Sequence, residues 1–219
     1  MFQKEKIYIA GPECFYTGGY DMLAAMRAES IAKGFGVTLP NDHPLDMENP
    51  DLRKRADSIF ADLKAIMLDT TVVIADLEAY RGSEPDSGTI YELGMAYAKG
   101  ARCYGYTRDK RPLVWKDQKY TLKEGKVYDE HGKEAPYKDL PFSPCIIAST
   151  KIAEGDYGDC LKMLMTDIEE EKKYKGLRGY SVDYTAAKTY KSDRPVVYLA
   201  GPERYDKDAK ELYKKRKEL

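Results

Sequence analysis

The sequence is poor in the residues that bind metal ions. It has only two histidines, His43 and His131, and four scattered cysteines without a Cys-x-x-Cys pair. A structural zinc site needs about four such ligands at short, regular spacings. We therefore expect no bound metal, and we interpret the cysteines as reduced thiols of a cytoplasmic protein.

Long apolar runs and an excess of positive charge are also missing. No apolar stretch approaches the roughly 20 residues of a bilayer-spanning helix, and the N-terminus does not resemble a signal peptide. The chain has 36 basic and 37 acidic residues, a net charge of −1, without the basic footprint of a nucleic-acid-binding protein. There is no GxGxxG or phosphate-binding loop that would predict a nucleotide cofactor. We expect no membrane partner, no nucleic-acid partner and no cofactor.

Short apolar runs alternate with amphipathic segments along most of the chain. This β-α-β-α-β-α-β order predicts an α/β fold, a flavodoxin-like (doubly wound) parallel sheet of five strands with helices on both faces. Strands are predicted at residues 6–10, 36–39, 71–77, 102–107 and 144–148. Helices are predicted at residues 21–33, 53–68, 86–99 and 156–172. Residues 110–140 are polar and predict an irregular insertion with a hairpin turn at 129–132.

Apolar spacing within three of these helices predicts which side chains face the core. The predicted inward residues are Met22, Ala25, Met26 and Ile31 in the first helix, Ile59, Leu63 and Ile66 in the second, and Tyr157, Cys160, Leu161, Leu164 and Ile168 in the last.

A short repeat predicts the organisation of the C-terminal part. Residues 197–203, Val-Tyr-Leu-Ala-Gly-Pro-Glu, repeat residues 7–13, Ile-Tyr-Ile-Ala-Gly-Pro-Glu. We interpret residues 1–173 as one domain, 174–195 as a linker and 196–219 as a C-terminal βα extension, a partial repeat of the first βα unit. A coincidental strand–turn–helix remains the alternative, and a role of this tail in assembly is a further one.

Polar residues gather where ligands bind in open α/β sheets, beyond the carboxyl ends of the strands. Tyr8 lies in the first predicted strand, and the loop after the third leads to Asp86 and Glu92 in a helix. Asp86 suits a plain helix N-cap as well as a ligand site. Glu92 lies among apolar residues, which favours a pocket over open solvent because burying an unpaired carboxylate is costly.

The stretch VIADLEAYRGSEPDSGTIYELGMAYAKG, with KIYIAGPECF before it and FADLKAIMLD between, resembles the nucleoside 2-deoxyribosyltransferase family. The resemblance covers about residues 5 to 110, with weaker similarity to about 148. It implies that Glu92 is the nucleophile and that Tyr8 orients it. It also implies that Asp62 acts in protonating the leaving base and that Asp86 binds the 5′-hydroxyl end of the sugar.

These residue types suit the implied chemistry. Cleavage of an N-glycosidic bond develops positive charge at C1′, and a carboxylate on the opposite face can trap it as a glycosyl ester. A second acid neutralises the departing base. Attack by another base then gives net retention, as in retaining glycosidases. The expected substrates are a 2′-deoxynucleoside and a free nucleobase, in nucleotide salvage.

Several positions bear on substrate binding. A related branch that hydrolyses deoxynucleoside 5′-monophosphates has a small hydroxyl residue where this chain has Asp86, so we expect nucleosides rather than nucleotides. The predicted substrate-binding set comprises Asp86, Gly11, Gly88, Asp42 and Ser143. Ser143 stands where the family has an amide residue from a neighbouring subunit, and Asp42 belongs to a loop, residues 41–43, that either reads the base edge or simply forms a turn.

Two other functions remain open at the level of the sequence. One is a 2′-deoxynucleoside 5′-monophosphate N-glycosidase, in which water replaces the acceptor base. The other is a non-catalytic nucleoside-binding or sensor domain on the same fold. The resemblance further implies a homo-oligomer with sites near subunit interfaces, and it leaves the preference for purines or pyrimidines open.

Overall fold

The computed structural model describes residues 2, 4–40, 42–116, 119–135, 137–173 and 211. The described residues belong to two compact units. One takes in Met1–Lys110 and Phe142–Val182, and the other takes in Arg111–Pro141 and Asp183–Leu219. The linker and partial repeat predicted beyond residue 173 lie outside the described residues, apart from position 211. Within the described part, no helix is long and apolar enough to cross a bilayer.

The described elements alternate between strand and helix through most of the first unit. The strands are β1 (Lys6–Ala10), β2 (Gly36–Thr38), β3 (Val72–Asp76), β4 (Arg102–Thr107), β5 (Thr121–Lys123), β6 (Lys126–Tyr128) and β7 (Lys151–Glu154). The helices are α1 (Gly19–Ala32), α2 (Leu52–Asp69), α3 (Ser87–Ala98), α4 (Pro144–Ser149) and α5 (Tyr157–Lys173).

The main sheet has the order β2-β1-β3-β4-β7, and every pairing in it is parallel. Ile9 of β1 lies opposite Ile74 of β3, which lies opposite Tyr104 of β4. This order confirms the predicted flavodoxin-like fold. Its topological switch point lies between β1 and β3, where ligands of such sheets bind.

Side chains alternate between the two faces of the sheet and form two cores. Ile7, Ile9 and Ile74 belong to the core that contains Leu161 and Leu164 of α5. Tyr8, Ala10, Val73 and Ala75 belong to the other core, together with Leu93 and Ala96 of α3. All five residues of β3 are buried, as expected for a strand covered on both faces.

The prediction of a strand at residues 144–148 is wrong. These residues form α4, and the fifth strand is β7, which begins at Lys151. Ser143 caps α4 by accepting a hydrogen bond from the Cys145 amide, and Pro144 occupies the first turn, where its missing N–H costs nothing. The short apolar run around Ile146 did not distinguish a buried helix from a strand.

The core-facing residues of α5 are confirmed, since all five predicted side chains are buried. The prediction for α1 is wrong in part, because Leu23 and Ser30 are buried whereas Met22 and Ile31 are exposed. The apolar residues of α1 are distributed around the whole circumference of the helix, so their spacing does not define one face. In α2 Ile66 is buried but Ile59 is exposed. An 18-residue helix is about 27 Å long and a five-residue strand only about 17 Å, so the sheet covers just part of α2.

The second unit contains a small antiparallel sheet of β5 and β6. Glu124 and Gly125 join these strands, both with positive φ (51° and 77°), as a tight hairpin turn requires. The predicted turn at residues 129–132 is confirmed, because a bridge between Tyr128 and Glu134 closes around it. The turn at Glu124 was not predicted.

Polar contacts tie the sheet together at the amino ends of its strands. Lys6 pairs with Asp69 at the end of α2, with Nζ 2.7 Å from Oδ2. Arg102, at the start of β4, makes a bidentate pair with Glu171 of α5 at 2.5 and 2.6 Å. These contacts lie at the edge of the sheet opposite the predicted site.

Candidate active site

Tyr8 and Glu92 form a direct hydrogen bond across one face of the sheet. The Tyr8 hydroxyl donates to Glu92 Oε1 over 2.8 Å. Tyr8 is 1% exposed on β1, and Glu92 lies in the second turn of α3 with its side chain partly accessible. The other carboxylate oxygen, Oε2, accepts no hydrogen bond from the described residues. The pair therefore holds one oxygen of Glu92 and leaves the other available.

Burial and nearby acids raise the pKa of Glu92 to about 7. Desolvation is the main cause, the hydrogen bond from Tyr8 opposes it, and the charges of Asp86 and Glu13 add to it. Burial, and then the charge of Glu92, raises the pKa of Tyr8 far above its usual value. Tyr8 thus stays a protonated donor while Glu92 changes charge close to neutral pH.

Asp86 is the N-cap of α3. Its Oδ2 accepts hydrogen bonds from the Thr89 amide at 2.9 Å and from the Thr89 hydroxyl at 3.3 Å. Gly88 leaves room for this cap, because a Cβ there would lie 2.9 Å from the same oxygen. Oδ1 of Asp86 accepts no hydrogen bond from the described residues. A capping role and a ligand-binding role are therefore compatible in one carboxylate.

Asp62 of α2 pairs with His43, in the loop after β2. The Nδ1–Oδ1 distance is 2.5 Å, and the Asp62 side chain is only 11% exposed. The charge of Asp62 acts on Tyr8, just as the charge of Asp86 acts on Glu92. The four residues that the sequence singled out for chemistry thus gather around one place. The contact between His43 and Asp62 was not predicted from the sequence.

Other members of the predicted substrate-binding set have structural contacts. Asp42 forms an ion pair with Arg27 and accepts a hydrogen bond from the Leu39 amide at 2.9 Å. Ser143 caps α4. Neither side chain is joined to Tyr8 or Glu92 by a hydrogen bond or ion pair of the described residues, and Asn41 lies outside them. Gly11 follows β1 directly, and a Cβ there would lie 2.0 Å from Oε2 of Glu13.

A second acidic group, which sequence reasoning missed, lies beside this site. Glu13, in the short 3-10 turn Pro12–Phe15, is 0% exposed, and its Oε1 accepts a hydrogen bond from the Tyr106 hydroxyl at 2.8 Å. Asp76 ends β3 and is 7% exposed. The sequence did contain one signal, since Asp76 follows a fully apolar run and Glu13 follows the first strand, both at carboxyl ends of neighbouring strands.

Aromatic rings line the loops above β1 and β3. Phe15 and Tyr16 lie 6.2 and 6.0 Å from Tyr80, ring centroid to ring centroid. Arg81 lies over the Tyr80 ring and has a positive φ of 50°. Among the described residues, no group of three or more His, Cys, Asp or Glu side chains is arranged to hold a metal ion.

The fold and the candidate site define a doubly wound α/β protein in which Tyr8 and Glu92 meet at the β1–β3 switch point. The family model for nucleoside 2-deoxyribosyltransferases matches residues 7–158. The chain therefore belongs to the nucleoside 2-deoxyribosyltransferase family, and this membership supports a glycosyl-transferring enzyme.

A solved structure shares the fold. The chain is similar to a 2-desoxiribosyltransferase from Leishmania mexicana, at 24% identity, with a TM-score of 0.54 over 74% of this chain and 97% of that one. It is also similar to a conserved protein from Enterococcus faecalis V583, at 20% identity, with a TM-score of 0.47 over 74% of this chain and 98% of that one. Among curated proteins, none matches the chain.

Proposed function

We propose that the protein transfers the 2-deoxyribosyl group between nucleobases through a covalent glycosyl ester on Glu92. The observation that carries this proposal is the hydrogen bond from Tyr8 to one oxygen of Glu92, within an acidic, partly accessible edge of the sheet. A carboxylate fixed in this way presents its second oxygen in one orientation, as a nucleophile requires.

The reaction proceeds in two displacements at C1′ of the sugar. Oε2 of Glu92 forms a bond to C1′ while the C1′–N bond breaks, and the bonding electrons leave with the base, which takes up a proton. A ring nitrogen of the second base then attacks C1′, releases the Glu92 carboxylate and loses its own proton. Two inversions give overall retention of configuration.

In this proposal Asp62 and His43 transfer the protons to the leaving base and from the incoming base. Their hydrogen-bonded pair can hold a proton between carboxylate and imidazole and pass it to the leaving base. The same pair can accept the proton that the incoming base loses. The charge of Asp62 acts on Tyr8, the donor to Glu92, which supports this role for the pair.

The charges around Glu92 favour nucleosides over nucleotides. The groups whose charges act on it are Asp86 and Glu13, both acidic. A 5′-phosphate would add roughly two negative charges to this environment and would be repelled. The free Oδ1 of Asp86 can instead accept a hydrogen bond from a 5′-hydroxyl group.

One assay tests the proposal. Deoxyinosine and adenine are incubated with the wild-type protein and with Glu92→Gln, and the bases and nucleosides are separated by chromatography. We expect deoxyadenosine and hypoxanthine from the wild type and neither from the variant. Free deoxyribose without deoxyadenosine would indicate a hydrolase, and binding without turnover in both proteins would indicate a sensor domain.

The monophosphate N-glycosidase remains the alternative, and dGMP is the substrate that separates the two. Turnover of dGMP equal to that of deoxyguanosine would contradict the preference for nucleosides. A role in nucleotide salvage and a homo-oligomeric state stay predictions from the family resemblance, and a cytoplasmic location stays a prediction from the cysteine content.

A further inference from the structure

Two carboxyl groups are buried at the β1–β3 junction without a cation. Glu13 is 0% exposed and Asp76 is 7% exposed. Neither forms an ion pair with a Lys, Arg or His of the described residues. Among the described residues, Tyr106 donates to Glu13 Oε1 and the Glu78 amide donates to Asp76 Oδ1, both at 2.8 Å.

The two groups lie within hydrogen-bonding reach of each other. Oε2 of Glu13 is fully buried and receives no N–H or hydroxyl donor from the described residues. Two ionised carboxylates in such a place would repel each other and leave buried lone pairs unsatisfied. A single proton between them removes one charge and forms a strong charge-assisted hydrogen bond.

We propose that Glu13 and Asp76 share one proton, and that this acid pair holds the loop after β1 against β3 and keeps one negative charge beside Glu92. Both are positioning residues, because they act through the loop and through Glu92 and not on the substrate itself. The part that concerns Glu92 rests on the proposed function.

The chain around Glu13 is built to admit its side chain. A Cβ at Gly11 would lie 2.0 Å from Glu13 Oε2, and one at Gly19 would lie 1.6 Å from the Glu13 carbonyl oxygen. Glycine at both positions thus lets the loop close tightly over the carboxyl group. The contact with Asp76 then ties this loop to β3, across the switch point where the site lies.

The pair borders a cleft on the face of the sheet opposite Glu92. A cleft of about 530 Å³, lined in part by Glu13 and Asp76, lies between α1 and α5. The other titratable side chains that face it are Glu29 of α1, Glu78, Tyr106 and Arg108 at the ends of β3 and β4, and Asp156, Tyr157 and Lys162 at the start of α5. On the side of the loop after β1 and of α3, the titratable groups are Cys14, Tyr16, Asp86 and Glu92.

The titration of the two groups agrees with this geometry. Burial raises the pKa of Glu13, and burial followed by the charges of Glu13 and Glu78 raises the pKa of Asp76 to about 7. Two acids that interact strongly lose their protons in two separate steps, and the singly protonated state lies between them. The charge of Glu13 also raises the pKa of Glu92, which links the state of the pair to the nucleophile.

A stability experiment tests the pair without requiring activity. It uses Glu92→Gln as the parent, because that change removes the other carboxyl group with a pKa near 7. The folded parent binds the shared proton up to about pH 7, whereas the unfolded chain releases it near pH 4. The pair's contribution to stability is therefore fully present below pH 4 and is lost as the pH rises to 7. We expect the Tm to fall by roughly 5 °C between pH 5 and pH 8.

Glu13→Gln, added to the Glu92→Gln parent, should remove most of the decrease in Tm between pH 5 and pH 8. The amide of glutamine supplies the N–H donor that the shared proton supplied, so Asp76 stays ionised at both pH values. Asp76→Asn makes the reciprocal change, and Glu29→Gln, which alters an acid of the same cleft outside the pair, should keep the parent's pH dependence. Three results would contradict the shared proton. The Tm could decrease between pH 5 and pH 8 in both amide variants as much as in the parent, or Glu29→Gln could lose this decrease to the same extent. The third such result is that neither amide variant folds.

An activity experiment tests the link to the site. With Glu92 restored, the acid limb of the kcat/KM profile for base exchange should stay in place in Asp76→Asn, since Glu13 then keeps the negative charge that acts on Glu92. In Glu13→Gln/Asp76→Asn it should move to lower pH by roughly half a unit, because that like charge is gone. No movement in the double variant would contradict the link to Glu92. Absence of base exchange in the wild type would contradict the proposed function and leave the stability result intact.

Discussion

His43 and Asp62 are joined by a hydrogen bond of 2.5 Å between Nδ1 and Oδ1, although 19 positions separate them in the chain. The pair connects the loop after β2 with α2, and Asp62 is the less exposed partner. An acidic residue with an imidazole beside it can exchange protons with a base in both directions. Both directions are needed when one base leaves and another arrives.

Substitution of either partner should slow the reaction. We expect Asp62→Asn to lower kcat about 100-fold and His43→Ala about 10-fold, because general acid–base catalysis contributes roughly 10²–10⁴-fold and the histidine acts through the carboxylate. Steady-state kinetics with deoxyinosine and adenine measures both. His131→Ala, which changes the other, exposed histidine, is the matched control. Equal rates for His43→Ala and His131→Ala would exclude a role for the pair.

Tyr8→Phe should shift the pH dependence of the reaction. The hydrogen bond from Tyr8 lowers the pKa of Glu92, so its loss moves that pKa above about 7. Because the nucleophile acts as a carboxylate, kcat/KM should rise with pH through this value and should reach its plateau at a higher pH in the variant. A pH profile from 5.5 to 9 measures the shift. Tyr157→Phe, which removes a buried hydroxyl that bonds Ser30 on the other face of the sheet, should leave the profile unchanged.

Asp86→Ser should separate capping from substrate recognition. Serine can still cap α3, so the free energy of unfolding should change by less than about 1 kcal/mol. The loss of the negative charge should raise KM for deoxyguanosine and lower KM for dGMP, so the preference for the nucleoside falls. Kinetics with both substrates and urea unfolding give the two readouts. Asp51→Ser, at the N-cap of α2, is the matched control for stability, and an unchanged substrate preference in Asp86→Ser would contradict the assignment.

Gly11→Ala should damage the loop after β1. The new methyl group would lie 2.0 Å from Glu13 Oε2, so the carboxyl group must leave its position beneath the loop. We expect a loss of about 2–3 kcal/mol in the free energy of unfolding together with reduced turnover. In α3, Gly94→Ala has no atom within 4 Å of the new Cβ and should stabilise the helix by up to about 1 kcal/mol. Equal effects of the two substitutions would show that the fit around Glu13 is unimportant.

Local patterns in the sequence predicted the central part of the fold well. The run of apolar residues at β3 and the helical spacing of α5 each had one interpretation, and both are confirmed. The prediction of a strand at α4 was wrong because six residues are too few to show a helical or strand-like spacing of apolar residues. The helix cap by Ser143 decides the structure of this segment. The prediction of the core-facing residues of α1 was wrong in part because the apolar residues of this helix do not define one face.

The contacts within the candidate site were harder to foresee than its residues. Tyr8 and Glu92 were named from the sequence, and their hydrogen bond is present. The partner of Asp62 was not foreseen, because His43 lies in an irregular loop whose path depends on the whole fold. Glu13 was missed because a carboxyl group beside Gly11 suggests a turn, and its burial depends on Tyr106, 93 positions away.

The division between the two edges of the sheet has a practical consequence. The ion pairs of Lys6 with Asp69 and of Arg102 with Glu171 lie at the amino ends of the strands, away from Tyr8 and Glu92. Stabilising substitutions at that edge should therefore leave the candidate site intact. Substitutions that test the proposed base exchange belong to the carboxyl-end loops, so the two kinds of library can be made separately and then combined.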